Sequence, residues 1–203
     1  MHWIQVDEYR LPIRLSGHVA LDFCNTWAGW GEPPDPRGEW LPDYDRLAVW
    51  TRYAELLDGG VTARLRRAAL RRPDEAVGVL KASHSFRERL YWTLVGPGEP
   101  AKFRRVAEEV RRAATASVLV EDGEVIARWS LPPSLGLRLP LHAVARAAGD
   151  LVTSTDRSRI KACPGAQCGW LFLDPRGRRK WCSMESCGNR AKVRAFTERQ
   201  RSA

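Results

Sequence analysis

Five cysteines occur in the 203 residues of this chain, and four of them have the spacing of a metal site. Cys163 and Cys168 are separated by four residues, Cys182 and Cys187 by four, and the two pairs by thirteen. Two short-spaced pairs can offer four soft ligands at tetrahedral corners from two turns, which suits Zn2+. Four thiolates would fill the coordination shell and leave no place for a catalytic water, so one structural zinc is expected. A thiol–disulfide switch and another metal remain open to the same residues, although a reducing compartment disfavours the disulfide. Cys24 stands far from the others in sequence and reads as a buried structural thiol.

The charges around these cysteines are also patterned. The chain carries a formal charge of +9, and residues 157–203 alone hold 12 Lys/Arg against 3 Asp/Glu; the preceding residues hold 21 of each. A neutral body with a basic end is the footprint of a polyanion-binding module, with a solvated basic tail as the bland alternative. Arg176, Arg178, Arg179 and Lys180 lie between the cysteine pairs, beside Trp181. A helix beginning near Arg190 would put Arg190, Arg194 and Arg201 on one stripe, with Val193 and Phe196 packing back on the cysteines. These seven side chains are the expected phosphate contacts, since arginine grips phosphate with a bidentate fork. Arg190 has a second reading, hydrogen bonding to the carbonyls of the cysteine turns. Trp170 and Trp181 could stack on bases, but core packing is the expected role of each.

The elements that must position this module are read from periodicity. Ile13–Val19 reads as an extended lead-in, Ala20–Trp27 as a short helix, and the Gly- and Pro-rich stretch 29–42 as a loop. Asp43 can cap a helix carrying Leu47, Trp50, Ala54 and Leu57, which Gly59-Gly60 would stop. Further helices are expected over 62–71 and from Pro73 to about Val95, the latter with Val79, Phe86, Leu90 and Leu94 inward. Another would place Phe103, Val106, Ala107, Val110 and Ala114 on one face, and another starts at Leu141, after a loop framed by prolines. Val118–Trp129 reads as a hairpin turning at Asp122-Gly123, and Gly169–Leu173 as a strand or turn over the cysteines. The expected fold is mainly α with one β-hairpin (α+β), a helical domain over 1–155 and a small zinc finger over 156–203.

Other chemistry finds little support. His2, His18, His84 and His142 are scattered, and neither a nucleophile elbow nor a phosphate-binding loop occurs. An enzyme is therefore not expected. Asp22 and Asn25 lie three apart on a short apolar helix and admit two readings. They could tie neighbouring backbone, or form the polar corner of a pocket for a small-molecule effector. No run approaches the ~18 apolar residues of a membrane helix, and the first residues lack a signal peptide's basic start and apolar stretch. A cytoplasmic chain is expected.

The stretch from Cys163 to Phe196, with Cys187-Gly188-Asn189-Arg190 inside it, resembles the CGNR zinc-finger family. The upstream residues resemble that family's companion, the ABATE domain, through Ala20–Thr26, the hairpin ending in Trp129 and the helix over 141–155. The resemblance implies a treble-clef or ribbon-like finger whose cysteines bind zinc. It also implies a bacterial, stress-induced transcription regulator that contacts nucleic acid, DNA more than RNA. RNA binding and a protein–protein interaction module are the alternatives carried alongside it.

Overall fold

The computed structural model describes residues 3–31, 38–96, 98–123 and 125–201. It forms two compact units, Leu41–Ser154 and a discontinuous one that joins Met1–Trp40 to Thr155–Ala203. The residues up to Trp40, expected with the helical domain, thus cluster with the finger.

The chain opens on an antiparallel hairpin of β1 (Trp3–Val6) and β2 (Tyr9–Pro12), paired from Trp3 with Pro12 to Val6 with Tyr9. No glycine marks its turn, which uses Asp7 at φ 50° instead. The short helix α1 spans Val19–Cys24, and His18 Nδ1 caps it by accepting from Ala20 N–H at 3.2 Å. It ends before the expected Trp27, which instead bridges to Glu39. The expected loop 29–42 lies partly outside the described residues; its near ends are joined where Ala28 N–H donates to Gly38 O at 2.9 Å.

The helical unit holds α2 (Tyr44–Tyr53), α3 (Gly59–Arg71), α4 (Pro73–Val95) and α5 (Pro100–Ala116). Asp43 caps α2 as expected, accepting from Arg46 N–H at 2.8 Å. Gly59 and Gly60 do not stop that helix. They form the first turn of α3, because Asp58 caps it by accepting from Val61 N–H at 2.7 Å. On α4, Val79, Phe86 and Leu90 are buried as their spacing predicts. On α5 the buried face is Val106 and Ala113, whereas Phe103 is 51% exposed, so the expected stripe is rotated. The hairpin of β3 (Val118–Asp122) and β4 (Val125–Ser130) carries a bulge between Val120 and Asp122. Asp122 is still paired there, with Val125, so the turn does not centre on Asp122-Gly123. Helix α6 (Leu139–Thr153) buries Leu141, Val144, Ala145, Ala148 and Leu151, as read from the sequence. At Gly149 a Cβ would meet Val110 Cγ1 at 2.7 Å, so only glycine permits this approach of α6 to α5.

The finger begins with β5 (Ile160–Ala162), antiparallel to β6 (Leu171–Leu173). A π-helical turn at Met184–Gly188 leads into α7 (Asn189–Arg201). A hairpin, a turn and a helix around one cysteine cluster give the expected treble-clef-like finger. None of the described helices is long and apolar enough to cross a membrane.

Candidate metal centre and nucleic-acid interface

The β5–β6 ladder sets the first cysteine pair. Cys163 N–H donates to Trp170 O at 2.8 Å, and Cys168 N–H to Gly165 O at 3.0 Å, which folds the four intervening residues into a tight knuckle. Gln167 and Gly169 take left-handed φ values of 58° and 64° to make that turn. Gly165 lies against the cluster, where a Cβ would meet Cys187 Sγ at 3.0 Å. The second pair comes from the loop at Cys182 and from the turn that delivers Cys187 to the start of α7.

All four thiol sulfurs lie within 4.8 Å of one another, with Cys168 and Cys187 at 3.6 and 3.5 Å from Cys182. Sulfurs held ~2.3 Å from a tetrahedral Zn2+ stand about 3.8 Å apart, so these four residues fit the ion. Crowding drives their acidities apart. Hydrogen bonds from Cys163, Cys168 and Cys182, with Arg190 adding its own, hold the Cys187 thiol far below the ordinary range. Hydrogen bonding to Cys163 and to the other two thiols pushes Cys182 far above it. A dication removes the conflict, because it favours thiolate at all four positions. Arg190 donates to Cys187 Sγ at 3.0 Å and so offsets part of the negative charge of a four-thiolate zinc site.

Trp170 and Phe172 are buried against the cysteines, with Leu15, Trp30 and Trp181 packed around them. Trp170 is therefore core, as expected. Val193 and Phe196 do not cover the knuckles: they are 66% and 58% exposed, and α7 has no buried residue.

The loop after β6 is built on Asp174. Its Oδ1 accepts from Arg178 N–H and Arg179 N–H at 2.9 and 3.1 Å, and its Oδ2 from Lys161 Nζ at 2.5 Å. The Lys161 hydrogen bond holds the Asp174 carboxyl below the usual carboxylate range. The carboxylate thereby fixes the backbone of the loop, on which Arg176, Arg178 and Lys180 are exposed. Lys161, Arg178, Arg179 and Lys180 line an open groove of about 400 Å³ with Ala162, Pro164 and Gly177, and no acidic side chain lines it.

Family comparisons agree with this geometry. The model described as CGNR zinc finger matches residues 159–200, and the ABATE model, described as "Putative stress-induced transcription regulator", matches residues 17–155. The chain belongs to the ABATE family and carries a CGNR zinc finger. Among curated proteins none matches it. Both descriptions name a regulator or a finger rather than an enzyme. In the CGNR finger the four cysteines suit one structural zinc.

The expected phosphate contacts divide into two kinds. Arg176, Arg178 and Lys180 are exposed on the loop, and Arg194 and Arg201 on α7, where Arg194 pairs with Glu198 at 3.1 Å. Arg179 turns inward instead. Its guanidinium donates to Leu15 O at 2.9 Å, to Trp181 O at 3.2 Å and to Cys182 O, and lies 4.5 Å from the Phe172 ring centroid. Those carbonyls hold the loop to the knuckle, so Arg179 is a structural clamp. Arg190 is engaged with a ligand sulfur rather than with the knuckle carbonyls.

Asp22 and Asn25 both tie backbone, the first of their two readings. Asp22 Oδ1 accepts from Leu15 N–H and Ser16 N–H at 3.1 and 3.0 Å. Asn25 Nδ2 donates to Leu171 O at 2.9 Å while its Oδ1 accepts from Leu171 N–H at 2.8 Å, so one side chain acts as a strand partner to β6. Ser16 O extends that edge by accepting from Leu173 N–H at 2.7 Å. Gly31 lies on the knuckle so closely that a Cβ would meet Gln167 Cα at 2.6 Å. These contacts join residues 15–31 to the finger. They were invisible to periodicity, since Asn25 and Leu171 lie 146 residues apart. Among the histidines, His18 caps α1 and His84 Nε2 bonds Leu41 O at 2.9 Å; neither belongs to the cysteine cluster.

Burial raises the Asp22 carboxyl above its ordinary 3.8, against the opposing hydrogen bonds from Ser16 and Leu15 and the charge of Arg14. A raised carboxyl binds its proton on folding, so its contribution favours the folded state at low pH. That contribution falls as pH rises from 3.8 through the higher folded-state value and is flat above it. Asp22→Asn keeps an acceptor for both N–H groups and should remove this slope. Denaturant midpoints of wild type and variant, followed from pH 4 to pH 7 (about neutrality, where the carboxylate is ionised), should converge at the acid end.

Proposed function

We propose that this chain is a transcription regulator that binds duplex DNA through its zinc finger and answers to an effector held in its helical unit. The observation that carries the reading is the groove beside the knuckle. Arg178 and Lys180 line it from a loop fixed by Asp174 and by the Arg179 clamp, and Lys161, paired with Asp174, closes it from β5. Fixed cations of this kind suit phosphate oxygens, whose contacts position a protein on the duplex. Helix α7 extends the basic surface for thirteen residues, about 20 Å, a length that a major groove admits. The burial of Trp170 removes one of two base-stacking platforms and favours duplex over single-stranded RNA.

Binding of the zinc-loaded chain to labelled duplex DNA, with single-stranded RNA as competitor, tests the choice. Duplex should win at equal nucleotide concentration, and preferential displacement by RNA would reverse the reading. Replacing Arg178 and Lys180 together by Ala should weaken binding at every sequence while leaving the melting temperature near that of wild type. Arg179→Ala should do the opposite and lower the melting temperature first. A second reading rests on the exposed Val193 and Phe196 of α7, which suit a protein partner. Affinity insensitive to salt would favour it.

A further inference from the structure

In the helical unit, the end of β4, the α2–α3 corner and α6 surround a cleft of about 450 Å³. That volume lies within the ~300–1,000 Å³ of small-molecule sites. Its floor is apolar, with Val61, Leu139 and Ala143 buried there. Leu139, Ala143 and Arg146 follow one another at helical spacing on α6, so the guanidinium stands at the end of that floor. Trp129 of β4 forms a wall, 54% exposed, with its ring centroid 5.9 Å from the Arg146 guanidinium carbon. The Arg146 ion pair to Asp150 spans 3.9 Å to a side chain that is 66% exposed, too long and too solvated to neutralise it. Ser130 lines the same space with a hydroxyl.

The acidic lining residues occupy different ground. Glu55 and Asp58 are exposed, and Asp58 Oδ1 already accepts from Val61 N–H. Arg146, with its side chain 30% exposed, stands beside the dry floor, where a charge interacts more strongly than at the rim. We propose that this cleft binds a small aromatic carboxylate, its ring between the Trp129 indole and the Val61–Leu139–Ala143 floor and its carboxylate on Arg146. An exposed indole gains from stacking on a flat ring, and an arginine fork matches a carboxylate. The assignment deepens the effector reading above and rests on it for its biological meaning, but binding itself is measurable without nucleic acid.

The probe is indole-3-acetate, titrated calorimetrically into the full zinc-loaded chain, with indole and tryptamine as controls lacking or reversing the charge. Saturable binding of the acid is expected, at least tenfold tighter than either control. Arg146→Met and Trp129→Leu should each weaken it at least tenfold. Should Arg146→Met lower the melting temperature, Trp129→Leu decides, because that side chain is half in solvent. No saturable binding of the acid, tighter binding of tryptamine, or an affinity indifferent to Trp129→Leu would overturn the proposal. Duplex affinity measured with and without the acid separates the two readings. A bound acid that leaves duplex affinity unchanged supports the cleft and removes the sensing role.

Discussion

Cys168→Ser is expected to lose the metal and, with it, the order of both halves of the finger's unit. A structural zinc contributes about 10–16 kcal/mol to a folded site at neutral pH, comparable to the ~5–15 kcal/mol by which whole domains are stable. Three thiolates hold the ion far less well than four, and without it the three remaining sulfurs and the new hydroxyl have no common partner. The consequence should reach residues 13–31, because Ser16, Asn25 and Gly31 rest on β6 and the first knuckle. The helical unit has its own core, in which Trp50, Phe86, Leu90 and Leu141 are fully or almost fully buried, and should keep its helices. Metal analysis and hydrogen exchange read both parts. Peptides from 13–31 and 159–188 should lose protection together, while those from 73–95 and 139–153 keep theirs. Intact protection over 13–31 in metal-free protein would show that this segment does not depend on the finger.

The second large effect is expected at Asn25→Ala. Leu171 is 0% exposed, and the asparagine satisfies both its N–H and its C=O. Truncation leaves two buried polar groups without partners, each costing ~1–3 kcal/mol, so a loss of about 3 kcal/mol is expected. Asn25→Asp should not rescue it, since a carboxylate can accept from Leu171 N–H but cannot donate to its oxygen. Asn189→Ala, at an exposed site whose amide donates to Glu185 O at 3.3 Å, should change little. Denaturant midpoints of the zinc-loaded variants provide the comparison. An Asn25→Ala midpoint within error of wild type would mean that the bidentate bond contributes nothing.

The metal ligands were the most legible part of the sequence, because zinc imposes its geometry through short-range spacing. The helices were legible where burial follows a 3.6-residue period without interruption, as on α4 and α6. Where local punctuation is ambiguous, the reading fails for identifiable reasons. Gly59-Gly60 ends one helix or begins another depending on which way Asp58 points its carboxylate, and here it caps α3. The β1–β2 turn has no glycine to announce it. Charge pattern finds a basic loop but cannot tell an outward guanidinium from an inward one, so Arg178 and Arg179 read alike although only Arg179 grips carbonyls. The bond from Asn25 to Leu171, and with it the union of residues 1–40 with the finger, depends on tertiary contact alone.

The proposal that the finger reads a polyanion is tested most directly by the salt dependence of binding. Each phosphate neutralised on duplex DNA contributes about −0.9 to the slope of log K against log salt. With Arg176, Arg178, Lys180, Arg194 and Arg201 exposed, the intact zinc-loaded chain should give a slope of about −3 or steeper on one fixed duplex. Arg178→Ala with Lys180→Ala should make it shallower by about 2. A near-zero slope, or the same slope in wild type and the double variant, would contradict the assignment of the groove.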